Sequence, residues 1–268
     1  MSGAKSYIRE FGALTRVARA CSMVRPTNRK TGVKAVMAEA NEKLRNEFNE
    51  WATQGRGEEM ESHHISIAEQ TLARMDLRAG ERVLDLGCGA GWATRMLAHA
   101  VEGGEGMAVG IDISDAMIAR ARAASRDLEN VLFTVAAADE IPWRDDYFNK
   151  VLSIESFYYY PDQKAVLREL HRVMTPGASL YILINLYKEN PYSLRWVEGL
   201  AVPVHARSEN EYEDMLREHG FVQTEIAHIP DLTPTPDEYT GKWFANAEEL
   251  KEFKRIGALL LAARKPAR

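Results

Sequence analysis

The feature that most constrains this chain is a short apolar segment, Val83-Leu84-Asp85-Leu86, running straight into Gly87-Cys88-Gly89-Ala90-Gly91 and then into WATRMLAHA. A strand reaching this run must turn within five residues, and the glycines permit both the turn and close approach of a ligand to the backbone. A helix beginning at Trp92 presents free N–H groups at its start. The rhythm continues downstream. Apolar strand-length runs fall at 107–111, 130–136, 150–154, 179–184, 221–228 and 257–263, with helical spacing at 115–125, 163–173 and 210–219. Such alternation predicts an α/β, doubly wound, mostly parallel sheet covered on both faces. Two helices precede it. In 36–51, Leu44, Phe48 and Trp51 share a face, and 53–57 ends that helix; a second is predicted over 65–75.

With 268 residues, 46% of them hydrophobic, the chain can build one large core with a smaller lid. A net charge of -5 gives no reason to expect a nucleic-acid partner. Cys21 and Cys88 are too few for a disulfide framework or a cysteine-rich metal site. Neither a signal-peptide pattern nor an apolar run long enough for a membrane span is visible, so a soluble, cytoplasmic protein is expected. The first 34 residues are basic and carry Tyr7, Ile8, Phe11, Leu14, Val17 and Ala18 at near-helical spacing, a piece that could pack on the body or contact a second subunit. Two long connections, 186–208 and 230–251, interrupt the rhythm where open sheets bind ligands.

The glycine loop selects among nucleotide-type ligands. Its third glycine comes one residue earlier than in the dinucleotide fingerprint, and an acid, Asp85, precedes it. A further acid, Asp112, ends the next strand, where a carboxylate can accept hydrogen bonds from ribose hydroxyls. VLDLGCGAG resembles the first motif of class I S-adenosylmethionine-dependent methyltransferases, and the resemblance extends from about Glu42 to the C-terminus, most strongly over Gly80–Tyr187. It implies a seven-stranded Rossmann-like sheet and S-adenosyl-L-methionine as methyl donor. Asp85, Gly87, Cys88, Gly89 and Gly91 would lie at the donor's methionine portion, Asp112 at its ribose, and Ile113 against the adenine. AAADEIPW is similar to the family's G-D-A-x-x-L-P-F stretch, with Ala137 where an adenine-contacting acid usually stands. Either the acid has moved to Asp139 or the adenine amino group is read by backbone and water alone, with backbone contact from Ala138 in both cases, and Trp143 is expected to pack rather than to bind.

The acceptor side is read from VLSIESFYYYPD, whose strand in this family ends beside the transferring methyl group. Glu155 there could be a general base, an anchor for an amine, or a contact to the donor's methionine end. Tyr158 and Tyr159 are expected to line the cavity. His64 in EMESHHISIAEQ is a candidate base, and equally a helix cap or a partner of a nearby glutamate. Residues 1–60 read as an N-terminal helical extension and lid, and 61–268 as the donor-binding domain with a lid insertion at about 186–208. Trp51, Tyr187, Tyr192, Trp196, Trp243 and Phe244 are expected to close an aromatic chamber over a small acceptor. The family's metal-dependent members need several carboxylate ligands around the site, no counterpart of which is visible here, so no metal is expected. Macromolecular methylation, or donor binding without transfer, remain the alternatives.

Overall fold

The computed structural model describes residues 32–267. The basic N-terminal segment up to residue 31, with its helical spacing and Cys21, lies outside them. Two helices come first, α1 (Gly32–Thr53) and α2 (Arg56–Arg74). The chain turns between them at Gly55, whose φ is 77°. The alternating body follows: β1 (Arg82–Leu86), α3 (Trp92–Ala100), β2 (Met107–Asp112), α4 (Asp115–Ala124), β3 (Val131–Val135) and β4 (Phe148–Ile154). Then come α5 (Gln163–Val173), β5 (Met174–Ile184), α6 (Glu209–Glu218), β6 (Val222–Ile229), α7 (Ala247–Ile256) and β7 (Ala258–Arg264).

The strands form one seven-stranded sheet in the order β3-β2-β1-β4-β5-β7-β6. β1 to β5 are parallel, while β7 runs antiparallel to both β5 and β6. From β1 the chain winds outward to β3, then crosses back to place β4 on β1's other side. That reversal puts the carboxyl ends of β1 and β4 side by side at the switch point where open sheets bind ligands.

Local sequence explains the elements. The α5 residues Val166, Leu167, Leu170 and Val173 recur at helical spacing and are all buried, and Asp162 caps the helix by accepting from the Ala165 N–H. The central strands are apolar on both sides, with Leu84, Val109, Val151 and Leu180 fully covered. Trp143 is fully buried beside Tyr147 and Phe148, as its packing role requires. Three boundaries differ from expectation. α2 begins at Arg56 instead of 65, because RGEEMESHH is polar and shows no apolar period. β5 begins at Met174, paired with Phe148 across a register shift in β4. α7 is a helix where a loop was expected. Asn246 caps it on Glu249, and its apolar residues Leu250, Phe253 and Ile256 share one face that is only half-buried.

Candidate active site

A pocket opens at the carboxyl ends of β1 and β4, with about 880 Å³ of non-protein space that is partly open to solvent. Its floor is the glycine loop. Gly87 has φ 77°, and a Cβ there would lie 2.4 Å from the Ser156 Cβ and 2.8 Å from the Tyr160 hydroxyl, so no larger residue fits the turn. Gly89 differs. At φ 51° its Cβ direction meets nothing within 4 Å, leaving an open cradle on the pocket side. The loop is tied to β2 by Asp112, whose Oδ2 accepts from the Gly89 N–H at 2.8 Å while Oδ1 accepts from the Ser114 N–H at 2.8 Å. Burial pushes the Asp112 carboxyl upward in pKa, and those backbone bonds oppose the shift. Ser114 in turn caps α4 through the Met117 N–H.

Across the floor stands Glu155, the first residue past β4. Its φ of 50° is a left-handed conformation that side-chain-bearing residues rarely adopt, so the site holds strain of the kind found at functional positions. Its Oε1 accepts from the Asn185 N–H at the end of β5, and its Oε2 accepts from the Tyr158 hydroxyl at 3.0 Å. The group is 5% exposed, and burial pushes its pKa to about 7 against those hydrogen bonds. His64 of α2 brings Nε2 to 3.9 Å from Glu155 Oε2 and rests Nδ1 on the Met60 carbonyl at 2.8 Å. Burial lowers the His64 pKa below its ordinary value.

α1 forms the roof with two faces. Asn41, Arg45 and Asn49 repeat at four-residue steps and grip the loops after β2 and β3. Asn41 donates to Asp139 at 3.1 Å and Arg45 to the Ile113 carbonyl at 3.2 Å. Asn49 donates to Asp115 at 2.9 Å and accepts from the Ser114 hydroxyl at 2.6 Å and from the Ala116 N–H. On the adjacent face Leu44, Phe48 and Trp51 line the pocket, and Phe48 and Trp51 meet Tyr159 edge-on at 5.1 and 6.3 Å between centroids.

Of the residues read from the sequence, Gly87, Cys88, Gly89, Asp112, Ile113, Ala138, Glu155, Tyr159 and His64 line this pocket. Asp85, Gly91, Asp139 and Tyr158 do not. Asp85 is 1% exposed behind the loop, where it accepts from the Thr94 hydroxyl at 2.6 Å and burial raises its pKa to about 7. Asp139 is taken up by Asn41, and Tyr158 points at Glu155. The expected aromatic lid is corrected for five of its six residues. Trp51 lines the pocket, but Tyr187, Tyr192, Trp196, Trp243 and Phe244 do not. Tyr187 is buried and donates to the Gly257 carbonyl. Trp196 packs against Trp243 and Phe244, and Trp196 and Phe244 meet Phe253 on the apolar face of α7. Asn41, Met60, Met117, Ser156 and Tyr160 are wall residues that the sequence reading missed. For Asn41 the signal was its four-residue spacing to Arg45 and Asn49. No group of three metal-ligating side chains occurs among the described residues, and none of the helices described is long and apolar enough to cross a membrane.

A glycine cradle at a switch point, with a carboxylate at the end of the neighbouring strand, defines a nucleoside-binding α/β protein. Comparison with known proteins makes the class specific. The family profile of the methyltransferase domain matches residues 77–220. The chain is 32% identical to the 27-O-demethylrifamycin SV methyltransferase of Amycolatopsis mediterranei, over 75% of this chain and 73% of that one. It is 34% identical to the methyltransferase GfsG of Streptomyces halstedii, spanning 62% of each chain. A methyltransferase solved in complex with the Trm112 methyltransferase activator of Haloferax volcanii superposes with a TM-score of 0.77 at 34% identity, covering 82% of this chain and 98% of that one. The chain belongs to the class I S-adenosylmethionine-dependent methyltransferases, and S-adenosylmethionine is its cofactor. The open cradle at Gly89, the Asp112 carboxylate in the wall and the apolar Ile113 beside it fit that group.

Proposed function

We propose that this chain transfers a methyl group from S-adenosylmethionine to a small-molecule oxygen, nitrogen or carbon nucleophile held beside Glu155, His64 and Tyr159 under α1. The observation that carries the reading is the continuity of one pocket. Its wall runs from the Gly89 cradle to the two titratable side chains, roofed by Phe48 and Trp51. The rifamycin relative, named for a small acceptor, supports the same reading.

Asp112 would hold the ribose, Ile113 and Ala138 the adenine, and Gly87 to Gly89 the methionine portion. Asp85 would act on the ammonium only through its field from behind the loop, and Gly91 through the turn it permits. When bound, the donor supplies a methyl group already activated on a sulfonium. The protein's task is then to align the nucleophile, exclude water and accept a proton. α1 closes the chamber, with Leu44, Phe48 and Trp51 as its dry ceiling. Asp139 would serve the donor indirectly, by latching α1.

The test is incubation of the purified chain with methyl-labelled donor and a metabolite extract that includes its own macromolecules. Label in the small-molecule fraction is expected. Label confined to RNA or protein would replace this reading with the macromolecular one. Tight S-adenosylhomocysteine binding with no transfer at all would leave a donor-binding protein. A second reading concerns partners. The structural relative at 34% identity was solved with an activator, and this chain too would bind a Trm112-type protein. Co-elution with Haloferax volcanii Trm112 on gel filtration supports it, and separate elution opposes it.

A further inference from the structure

His64 and Glu155 face each other across the acceptor end of the pocket, and the hydrogen bonds behind them decide which can take a proton. A carbonyl oxygen only accepts, so the 2.8 Å contact between His64 Nδ1 and the Met60 carbonyl places the ring proton on Nδ1. A neutral ring then has a bare lone pair on Nε2. That ring is buried, its side chain 14% exposed, which favours the neutral form. The charged and titratable groups facing it are Glu155 after β4, Asp231 from the loop after β6, and His63 on its own helix, whose ring centroid lies 6.5 Å away.

Glu155 is held differently. Its two oxygens already accept from the Asn185 N–H and the Tyr158 hydroxyl. Nε2 and Oε2 are 3.9 Å apart, too far for a direct hydrogen bond. An oxygen atom about 2.8 Å from both would see them at roughly 90°, close to the angle between an O–H bond and a lone pair.

Building on the methyl-transfer reading above, we infer that His64 Nε2 is the general base, that Glu155 receives the acceptor atom, and that the acceptor group is a hydroxyl: an alcohol, phenol or enol. An oxygen nucleophile can donate its proton to Nε2, accept from Glu155 with one lone pair, and attack with the other. An amine nitrogen has one lone pair, and a hydrogen bond from Glu155 would occupy it. With burial holding the Glu155 pKa near 7, the protonated donor form is well populated at neutral pH. In the transfer the acceptor O–H bond breaks and its proton goes to Nε2. The oxygen lone pair forms the new C–O bond, and the S–C pair stays on sulfur as the thioether leaves. Tyr158 and the Asn185 backbone are positioning groups that fix the carboxyl.

The deciding experiment is 15N NMR of the full chain labelled at histidine, saturated with S-adenosylhomocysteine and assigned with His64→Gln. A neutral ring protonated on Nδ1 and bare at Nε2 near pH 7 is expected. A proton on Nε2, or a cationic ring at that pH, would overturn the base assignment. Addition of 4-methylphenol should shift Nε2 as it accepts a hydrogen bond, whereas 4-methylaniline should not. An equal response to both, or to neither, overturns the hydroxyl assignment. In turnover, His64→Gln should lower kcat by about a hundredfold or more with unchanged S-adenosylhomocysteine affinity. Absence of any methyl transfer would count against the parent reading alone, because the tautomer is measured without turnover.

Discussion

Replacing Asp112 by alanine tests the donor half of the site, and its effect can be worked from four hydrogen bonds. Two exist in the protein: the Gly89 and Ser114 N–H groups each donate at 2.8 Å, one to each carboxylate oxygen. Each oxygen keeps a second lone-pair direction for a ribose hydroxyl. A hydrogen bond to a charged group contributes roughly 1.5–3 kcal/mol. Losing two that share one carboxylate should cost binding about 3 kcal/mol, or roughly a hundredfold in Kd. The unbound protein should lose less, about 1–2 kcal/mol, because water can reach the half-buried N–H groups. Asp112→Asn should be no milder, since its amide NH2 would face one of the two N–H donors. Isothermal titration with S-adenosylhomocysteine gives the Kd, and thermal melting gives the stability. A trivial loosening of the glycine loop is separated by a cycle with the 2′-deoxy ligand. That ligand should bind the wild type more weakly and the alanine variant no worse than the full ligand. A folded Asp112→Ala protein binding within threefold of wild type would refute the ribose assignment.

Three further outcomes are expected. Asn49→Ala removes the three bonds that join α1 to the start of α4; α1 amides should exchange faster by hydrogen-exchange mass spectrometry, and donor affinity should fall about tenfold, while the sheet's protection stays unchanged. Asp85 and Glu155 both have folded pKa values raised to about 7. The native state therefore binds more protons than the unfolded chain between about pH 4.5 and 7, and stability should fall as pH rises through that window. The fall amounts to at most about 4 kcal/mol from Asp85 and about 3 kcal/mol from Glu155, and the melting temperatures of Asp85→Asn and Glu155→Gln against pH should show a flatter slope. Gly87→Ala would drive a Cβ into Ser156 and Tyr160 at a positive φ; a loss of more than about 2 kcal/mol by urea titration is expected.

The glycine loop was legible because it is built from backbone. VLDLGCGAG needs its strand, its turn and its helix in sequence order, so the order of residues is nearly the geometry. Asp112 is fixed the same way, by the end of the next strand. Parallel neighbours follow from the alternation, and the register Asp85 opposite Leu152 puts Glu155 across from the glycine loop without further information. The acceptor half was less legible because long connections choose their partners by tertiary packing. Trp196, Trp243 and Phe244 read as a lid on composition and position alike, but α7, whose first half falls within the stretch read as a long connection, offered them a nearer apolar surface. Asp139 carried the right chemistry for adenine, and nothing in the sequence signalled that it also accepts from Asn41 of α1. Tyr158 and Tyr159 are neighbours with opposite fates, since within a tight turn one ring faces Glu155 and the other the chamber.

That contrast explains how one helix can serve both halves. The bonds of α1 to the donor loops are polar and close to the surface, and each contributes on the order of 1 kcal/mol. The sheet beneath is an apolar core whose central residues are fully buried. Opening α1 therefore costs far less than disturbing the strands that hold Asp112 and Glu155. Because Asn41, Arg45 and Asn49 lie a quarter-turn or so from Leu44, Phe48 and Trp51, seating the polar row on the donor loops also lowers the apolar row onto the chamber.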